Sequence, residues 1–192
     1  LWQAYRWYLI SSVLALVLSV AGYQGWIFYD AKNKMARGEL FEAAQTLQRN
    51  GKDEEALKAL HKIFKNSQDG YSKLAQFNAA AITPDYLGAI DLYRNLSNDI
   101  KIEKGYRDLA LILGAIRQLD SKENNYDMLE KIKELNIIAN PWRNSAREIL
   151  GLYALKRGEK EKAKSFFSQV IKDQSAPQGL LSRSQELLDL VK

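Results

Sequence analysis

The chain has 192 residues, of which 28 are basic and 23 acidic, and its formal net charge is +5 at pH 7. The charges are interspersed rather than grouped, as on solvated helix faces, so the sequence offers no basic tract for nucleic acid and we predict no nucleic-acid partner. There is no cysteine, which excludes disulfides, thiol nucleophiles and thiolate metal sites.

The stretch from Trp7 to Tyr29 contains no charged residue and is almost continuously apolar in its middle. A helix of this length rises about 35 Å, which is enough to cross a hydrocarbon layer of about 30 Å. Aromatic rings stand at both ends of the stretch, as they do at membrane interfaces. We therefore predict a transmembrane anchor with aromatic flanks over residues 1–30, with the lipid bilayer as a partner.

Two other interpretations of this stretch stay open. It could be a buried helix of a globular core, although such helices rarely exclude charge for so long. It could also be a signal peptide cleaved after Ala21, although the apolar run continues through Phe28.

The charges that flank the predicted anchor favour one orientation. Arg6 precedes it, whereas Lys32, Lys34 and Arg37 follow it. By the positive-inside rule this distribution would place the following domain in the cytoplasm.

Helical signals fill the remainder, residues 31–192. Apolar residues recur at spacings of three and four, and no run alternates as a half-buried strand does. Each of the three prolines stands where a helix can start, and Thr83 and Asn140 are predicted to cap the helices that follow Pro84 and Pro141. These starts are Thr83-Pro84-Asp85, Asn140-Pro141-Trp142 and Ser175-Ala176-Pro177. We predict one all-α domain over residues 31–192.

Two distant segments share one layout. Gly51 is followed by charged residues, Ala56 and Leu60, and Gly158 is followed by charged residues, Ala163 and Phe167. In each segment the glycine permits the left-handed cap that ends a helix, and the small alanine lets the next helix lie close against the first. The layout predicts two helical hairpins.

The second segment resembles the tetratricopeptide repeat, because Leu150-Gly151, Gly158, Ala163 and Phe167 stand at its leucine-glycine, turn glycine, alanine and aromatic positions. The resemblance implies an α-solenoid of about four divergent hairpins, closed by a capping helix from about Pro177 to Val191. The other units are more degenerate, and they cover residues 37–68, 70–101 and 106–138, the last with a turn over Ser121 to Asn125 that departs from the motif.

An apolar N-terminal helix followed by a short array of such units resembles the YfgM-like family, bacterial inner-membrane proteins with a periplasmic repeat domain. The resemblance implies an ancillary subunit of the Sec translocon that associates with a membrane-anchored periplasmic chaperone and helps exported client proteins. It also places the domain in the periplasm, against the charge distribution. The alternative function is a scaffold for another envelope complex, without a chaperone role.

The tetratricopeptide resemblance also implies where partners bind. The first helix of each pair lines a concave face, and the corresponding positions here are Gln45, Arg49, Asn78, Glu148, Leu152 and Lys156. Trp142, at the opening of a helix, is a further candidate contact or a staple that closes its hairpin. Alternatively, the capping helix fills this face through Leu187 and Leu188.

Catalytic and metal-binding patterns are missing from the sequence. His61 is the only histidine, so no second histidine or cysteine completes a metal set. The acidic pairs fall in helix openings, where negative charge favours the helix dipole. We predict a binding protein and not an enzyme, with no catalytic residue, cofactor, metal or small-molecule substrate.

Overall fold

The computed structural model describes residues 2–66, 70–121 and 126–191, and every regular element in these ranges is helical. This confirms the predicted all-α class. The predicted domain boundary after residue 30 lies inside the first helix. The helices are α1 (Trp2–Arg49), α2 (Asp53–Asn66), α3 (Gly70–Ile82), α4 (Tyr86–Asn98), α5 (Lys104–Asp120), α6 (Asp127–Lys131), a 3-10 helix (Ile132–Leu135), α7 (Arg143–Lys156), α8 (Lys160–Lys172) and α9 (Gln178–Leu190).

The chain forms two compact units, Leu1–Ser72 and Lys73–Lys192. In the first unit α1 and α2 pack together as a hairpin. Its buried contacts come from Ala44 near the end of α1 and from Ala56 and Leu60 in α2, each no more than 1% exposed. Ala56 and Leu60 are the small and apolar positions that the sequence pattern predicts for a close hairpin.

The turns after α1 and α7 have the same geometry. Gly51 has φ +73° and Gly158 has φ +75°. The amide of Lys52 donates to the carbonyl of Leu47, and that of Glu159 donates to the carbonyl of Ala154, both at 2.9 Å. A glycine in the left-handed region with this hydrogen bond from the next residue is a Schellman cap. The predicted glycine caps are confirmed at both turns.

The second unit has its main core between α4, α5 and α7. Two helical glycines allow the close approach of large side chains. A Cβ on Gly151 would lie 2.8 Å from the Cζ atom of Phe167, and one on Gly114 would lie 3.0 Å from the Cβ of Tyr93. Phe167 is fully buried, as is Ala163 on the same helix. The absence of a side chain at Gly151 lets the Phe167 ring of α8 lie close against α7.

The three proline segments precede helices as predicted, but the caps differ from the prediction. The α4 helix is capped by Asp85, whose carboxylate accepts from the amide of Gly88 at 2.8 Å, and not by Thr83. Asn140 Oδ1 accepts from the amide of Trp142 at 2.8 Å, one residue before α7 begins. Pro177 immediately precedes α9, the predicted closing helix. Residues 122–125 of the predicted irregular turn lie outside the described residues.

The predicted membrane anchor requires a correction. Within the described residues, no helix combines the length and the apolar character that crossing a membrane demands. This finding contradicts the anchor over Trp7 to Tyr29 and the single-pass inner-membrane location, so both predictions are wrong. The stretch is instead the first half of α1, which continues without a break to Arg49.

Candidate partner-binding surface

Two of the predicted binding residues lie together in the first unit. Gln45 and Arg49, one helical turn apart near the end of α1, line a shallow depression of about 440 Å³ together with Gln48. The Arg49 side chain is exposed and donates to Thr46 Oγ1 at 3.0 Å, within its own helix. Amide and guanidinium groups at this depression can donate to the main-chain carbonyls of another polypeptide.

Asn78 and Trp142 occupy half-buried positions in the second unit. The Trp142 indole packs against the main core, and its Nε1 donates to the carbonyl of Gly105 at 3.2 Å. The ring therefore ties the start of α7 to the start of α5. The staple predicted for this ring would close its own hairpin, whereas the observed hydrogen bond joins α7 to a helix of an earlier pair.

Glu148 lies under the closing helix. Its carboxylate accepts two hydrogen bonds from Arg183 of α9, at 2.8 and 3.0 Å, and Glu148 is only 8% exposed. Leu152, one turn further along α7, packs in a cluster with Leu187 and Leu188 of α9. The structure therefore has the arrangement of the alternative prediction, in which the capping helix covers this part of the first-helix face.

Lys156 makes contacts that the sequence did not reveal. Its Nζ donates to the carbonyls of Leu119 and Ser121, at 2.6 and 2.9 Å, and lies 5.5 Å from the centroid of the Tyr126 ring. These carbonyls stand at the end of α5, where a cation also favours the helix dipole. Lys156 therefore stabilises a helix end.

Arg117 makes the equivalent contacts one helix pair earlier. Its Nη2 donates to the carbonyl of Ala81 near the end of α3, at 2.7 Å, and its guanidinium lies 5.8 Å from the centroid of the Tyr86 ring. In both cases a cation on one helix caps an earlier helix and stacks on a tyrosine beside it. The recurring pair of a tyrosine and a later cation, Tyr86 with Arg117 and Tyr126 with Lys156, is the sequence signal that could have indicated this role.

Sequence reasoning also missed a cleft in the second unit, here named the Tyr153 cleft. It has a volume of about 350 Å³. The cleft forms where α6 and the 3-10 helix, only five and four residues long, stand in place of one long helix. Its lining residues are Glu130, Lys133, Leu150, Tyr153, Ala154, Arg157, Glu159, Lys162 and Phe166.

A polar cluster joins the start of α7 to the segment after α8. Asp173 accepts from Arg143 at 2.7 and 3.0 Å, from Arg147 at 2.8 Å, and from the Ser175 hydroxyl at 2.7 Å. The hydrogen bond from Arg143, followed by that from Ser175, holds the pKa of the Asp173 carboxyl far below its ordinary value of 3.8. Asp173 therefore stays ionised and fixes α7 against the loop before α9.

The histidine and the acidic residues of the described part of the chain carry groups that can ligate a metal ion. No group of three or more His, Asp or Glu side chains there could hold a metal ion. His61 is exposed, and its ring lies 4.6 Å from the ring of Phe64. Asp127, which with Glu130 forms one of the acidic pairs at helix openings, accepts from Arg94 at 2.9 and 3.1 Å. Its role is an ion pair between α4 and α6.

Comparison with known proteins adds no relative. No family model matches the chain, and neither a curated protein nor a solved structure matches it.

Proposed function

We propose that the chain is a protein–protein interaction module of the tetratricopeptide type, which binds segments of other polypeptides. The observation that carries the proposal is the hairpin design used at both Gly51 and Gly158. Stacked hairpins of this kind generate extended binding surfaces through their geometry. A solenoid of about four such pairs with α9 as its cap is part of the proposal.

The cellular role in the proposal follows from the resemblance to the YfgM-like family. In that role the chain is an ancillary factor of the Sec translocon, works with a membrane-anchored periplasmic chaperone, and has a chaperone-like action on exported proteins. The depression at Gln45, Gln48 and Arg49 suits this role, because polar donors without a deep apolar pocket favour weak and broad recognition. A scaffold role without chaperone action is the alternative.

The first test measures binding of the full chain to a permanently unfolded polypeptide, such as reduced and carboxymethylated lactalbumin carrying a fluorophore. We expect the fluorescence anisotropy to rise with the unfolded protein and not with its native form. Replacing Gln45, Gln48 and Arg49 together by Ala should weaken binding several-fold. The matched control replaces Lys62 and Lys65, which are exposed on α2, and should bind as the wild type does. Equal binding of the triple variant would exclude this depression.

The second test separates the two cellular roles. A chemical crosslinking pull-down from envelope fractions should recover translocon subunits and exported proteins if the chaperone role is correct. Recovery of one unrelated complex, without exported proteins, would favour the scaffold role. Recovery of neither would reject both roles.

A further inference from the structure

The Tyr153 cleft has the size of a site for a short peptide segment. Its volume of about 350 Å³ lies at the lower end of the range for ligand pockets, which begins near 300 Å³. The cleft lies entirely within the unit Lys73–Lys192. One wall comes from α6 and the 3-10 helix, the other from α8, and α7 forms the floor.

The floor of the cleft is apolar and held in place. Leu150 and Ala154 belong to the buried cores, at 3% and 4% exposure. The Tyr153 ring packs 5.1 Å from the ring of Tyr126, and its hydroxyl accepts from Arg157 Nη1 at 3.2 Å. A ring fixed by these contacts loses little side-chain entropy when it meets a second apolar group. Because Tyr153 is itself only 6% exposed, the floor offers a small and rigid apolar contact for one side chain.

The rim of the cleft carries more cations than anions. Glu159 accepts from Arg157 at 3.0 Å and from Lys162 at 2.8 Å. Glu130 pairs with Lys133. Both carboxylates thus already have cationic partners. The rim as a whole holds three cations, Lys133, Arg157 and Lys162, and two anions. The surplus positive charge favours a carboxylate from outside over an ammonium group.

We propose that the Tyr153 cleft binds a short acidic segment of a partner polypeptide, with an apolar side chain on Tyr153 and a carboxylate between Lys133 and Lys162. The inference rests on the proposed function, since it supplies a recognition site to a protein that binds polypeptides. It places this site on the α7–α8 hairpin of the unit Lys73–Lys192, whereas the depression at Gln45 and Arg49 belongs to the unit Leu1–Ser72. The site is proposed to select its ligand by charge.

The experiment is an NMR titration of the ¹⁵N-labelled full chain with a blocked peptide, acetyl-Asp-Phe-Asp-Asp-amide. We expect amide shifts at Lys133, Tyr153 and Lys162. The neutral peptide acetyl-Asn-Phe-Asn-Asn-amide should bind several-fold more weakly. Equal binding of the two peptides, shifts confined to other surfaces, or no shifts at millimolar peptide would each overturn the proposal.

Charge reversal on one helix provides the matched control. Lys162→Glu changes the rim, and Lys172→Glu makes the same change at an exposed position of α8 outside the cleft. We expect Lys162→Glu to weaken binding of the acidic peptide roughly threefold to tenfold, and Lys172→Glu to leave it unchanged. Equal weakening by both would mean that net charge alone attracts the peptide, which also overturns the proposal.

Measuring the unfolded lactalbumin on the same samples separates this inference from the proposed function. If the unfolded protein binds while the cleft amides stay unshifted with the peptide, only the cleft inference fails. If the peptide shifts the cleft amides and the unfolded protein does not bind, the proposed general recognition of polypeptides fails and the cleft stands as a separate acidic-ligand site.

Discussion

The hairpins α1–α2 and α7–α8 have the same turn but present different surfaces. Both end their first helix with a left-handed glycine and a Schellman hydrogen bond of 2.9 Å. On α1, Gln45 and Arg49 line a shallow depression. On α7, Glu148 and Leu152 contact α9, and Lys156 caps α5.

The difference shows that the repeat motif determines the turn that closes a hairpin. It does not determine which contacts the first-helix face makes. Glycine and alanine positions act over a few residues, so the same pattern gives the same turn in both units. The use of the first-helix face depends on which element packs next to it. Among the predicted binding residues of these two hairpins, Gln45 and Arg49 on α1 are therefore the ones left to contact a partner.

The largest expected effect comes from removing the buried ring of the α7–α8 hairpin. Phe167→Ala leaves a cavity against Gly151 and should lower the free energy of unfolding by about 3–5 kcal/mol. Leu60→Ala in α2 should cost less, about 2–4 kcal/mol, because a smaller side chain is removed. Urea denaturation measures both. A smaller loss for Phe167→Ala than for Leu60→Ala would contradict the packing described for the second hairpin.

The alanine positions test whether the two hairpins share one close interface. Ala56→Leu and Ala163→Leu should each destabilise the protein by about 1–3 kcal/mol, because both alanines are fully buried. Ala43→Leu, at an exposed position on α1, is the control and should change the stability little. Unchanged melting of Ala163→Leu would remove the case for the last repeat.

The turn glycines should respond alike in the two hairpins. Gly51→Ala and Gly158→Ala force a side chain into the left-handed region, which costs about 1 kcal/mol. Gly179→Ala, in helix α9 with open space around it, should not destabilise the protein. A difference of more than about 1 kcal/mol between the two turn variants would show that the turns are not equivalent.

The smallest expected effect is a pH dependence of the stability, and it arises from the α7–α8 hairpin alone. The pKa of Asp173 is lowered in the folded protein, so its stabilising contribution is present above about pH 4 and is lost as the pH falls further. At pH 6 the urea midpoint of unfolding should therefore be higher for the wild type than for Asp173→Asn. The difference between the two midpoints should shrink towards pH 3. A constant difference across this range would show that the charge of Asp173 does not contribute.

Local features of the sequence predicted much of the fold. The glycine caps at Gly51 and Gly158 and the buried Ala163 follow from interactions within one hairpin. The pairing of Glu148 with Arg183 joins residues 35 positions apart, and no periodicity indicates it. The Tyr153 cleft arises because α6 is short, which helical periodicity over Met128 to Leu135 did not reveal. The apolar run at Trp7 to Tyr29 led to the wrong prediction of an anchor.

Site-specific photocrosslinking tests the central claim most directly, since it reports which surface an unfolded polypeptide touches. A benzophenone amino acid is placed in the full chain at Gln45, at Leu152, or at Lys62 on α2, and the labelled unfolded lactalbumin is irradiated with each. We predict a crosslink yield from Gln45 several-fold above the yields from Leu152, covered by α9, and Lys62. Equal yields from all three positions would contradict binding through the α1 face.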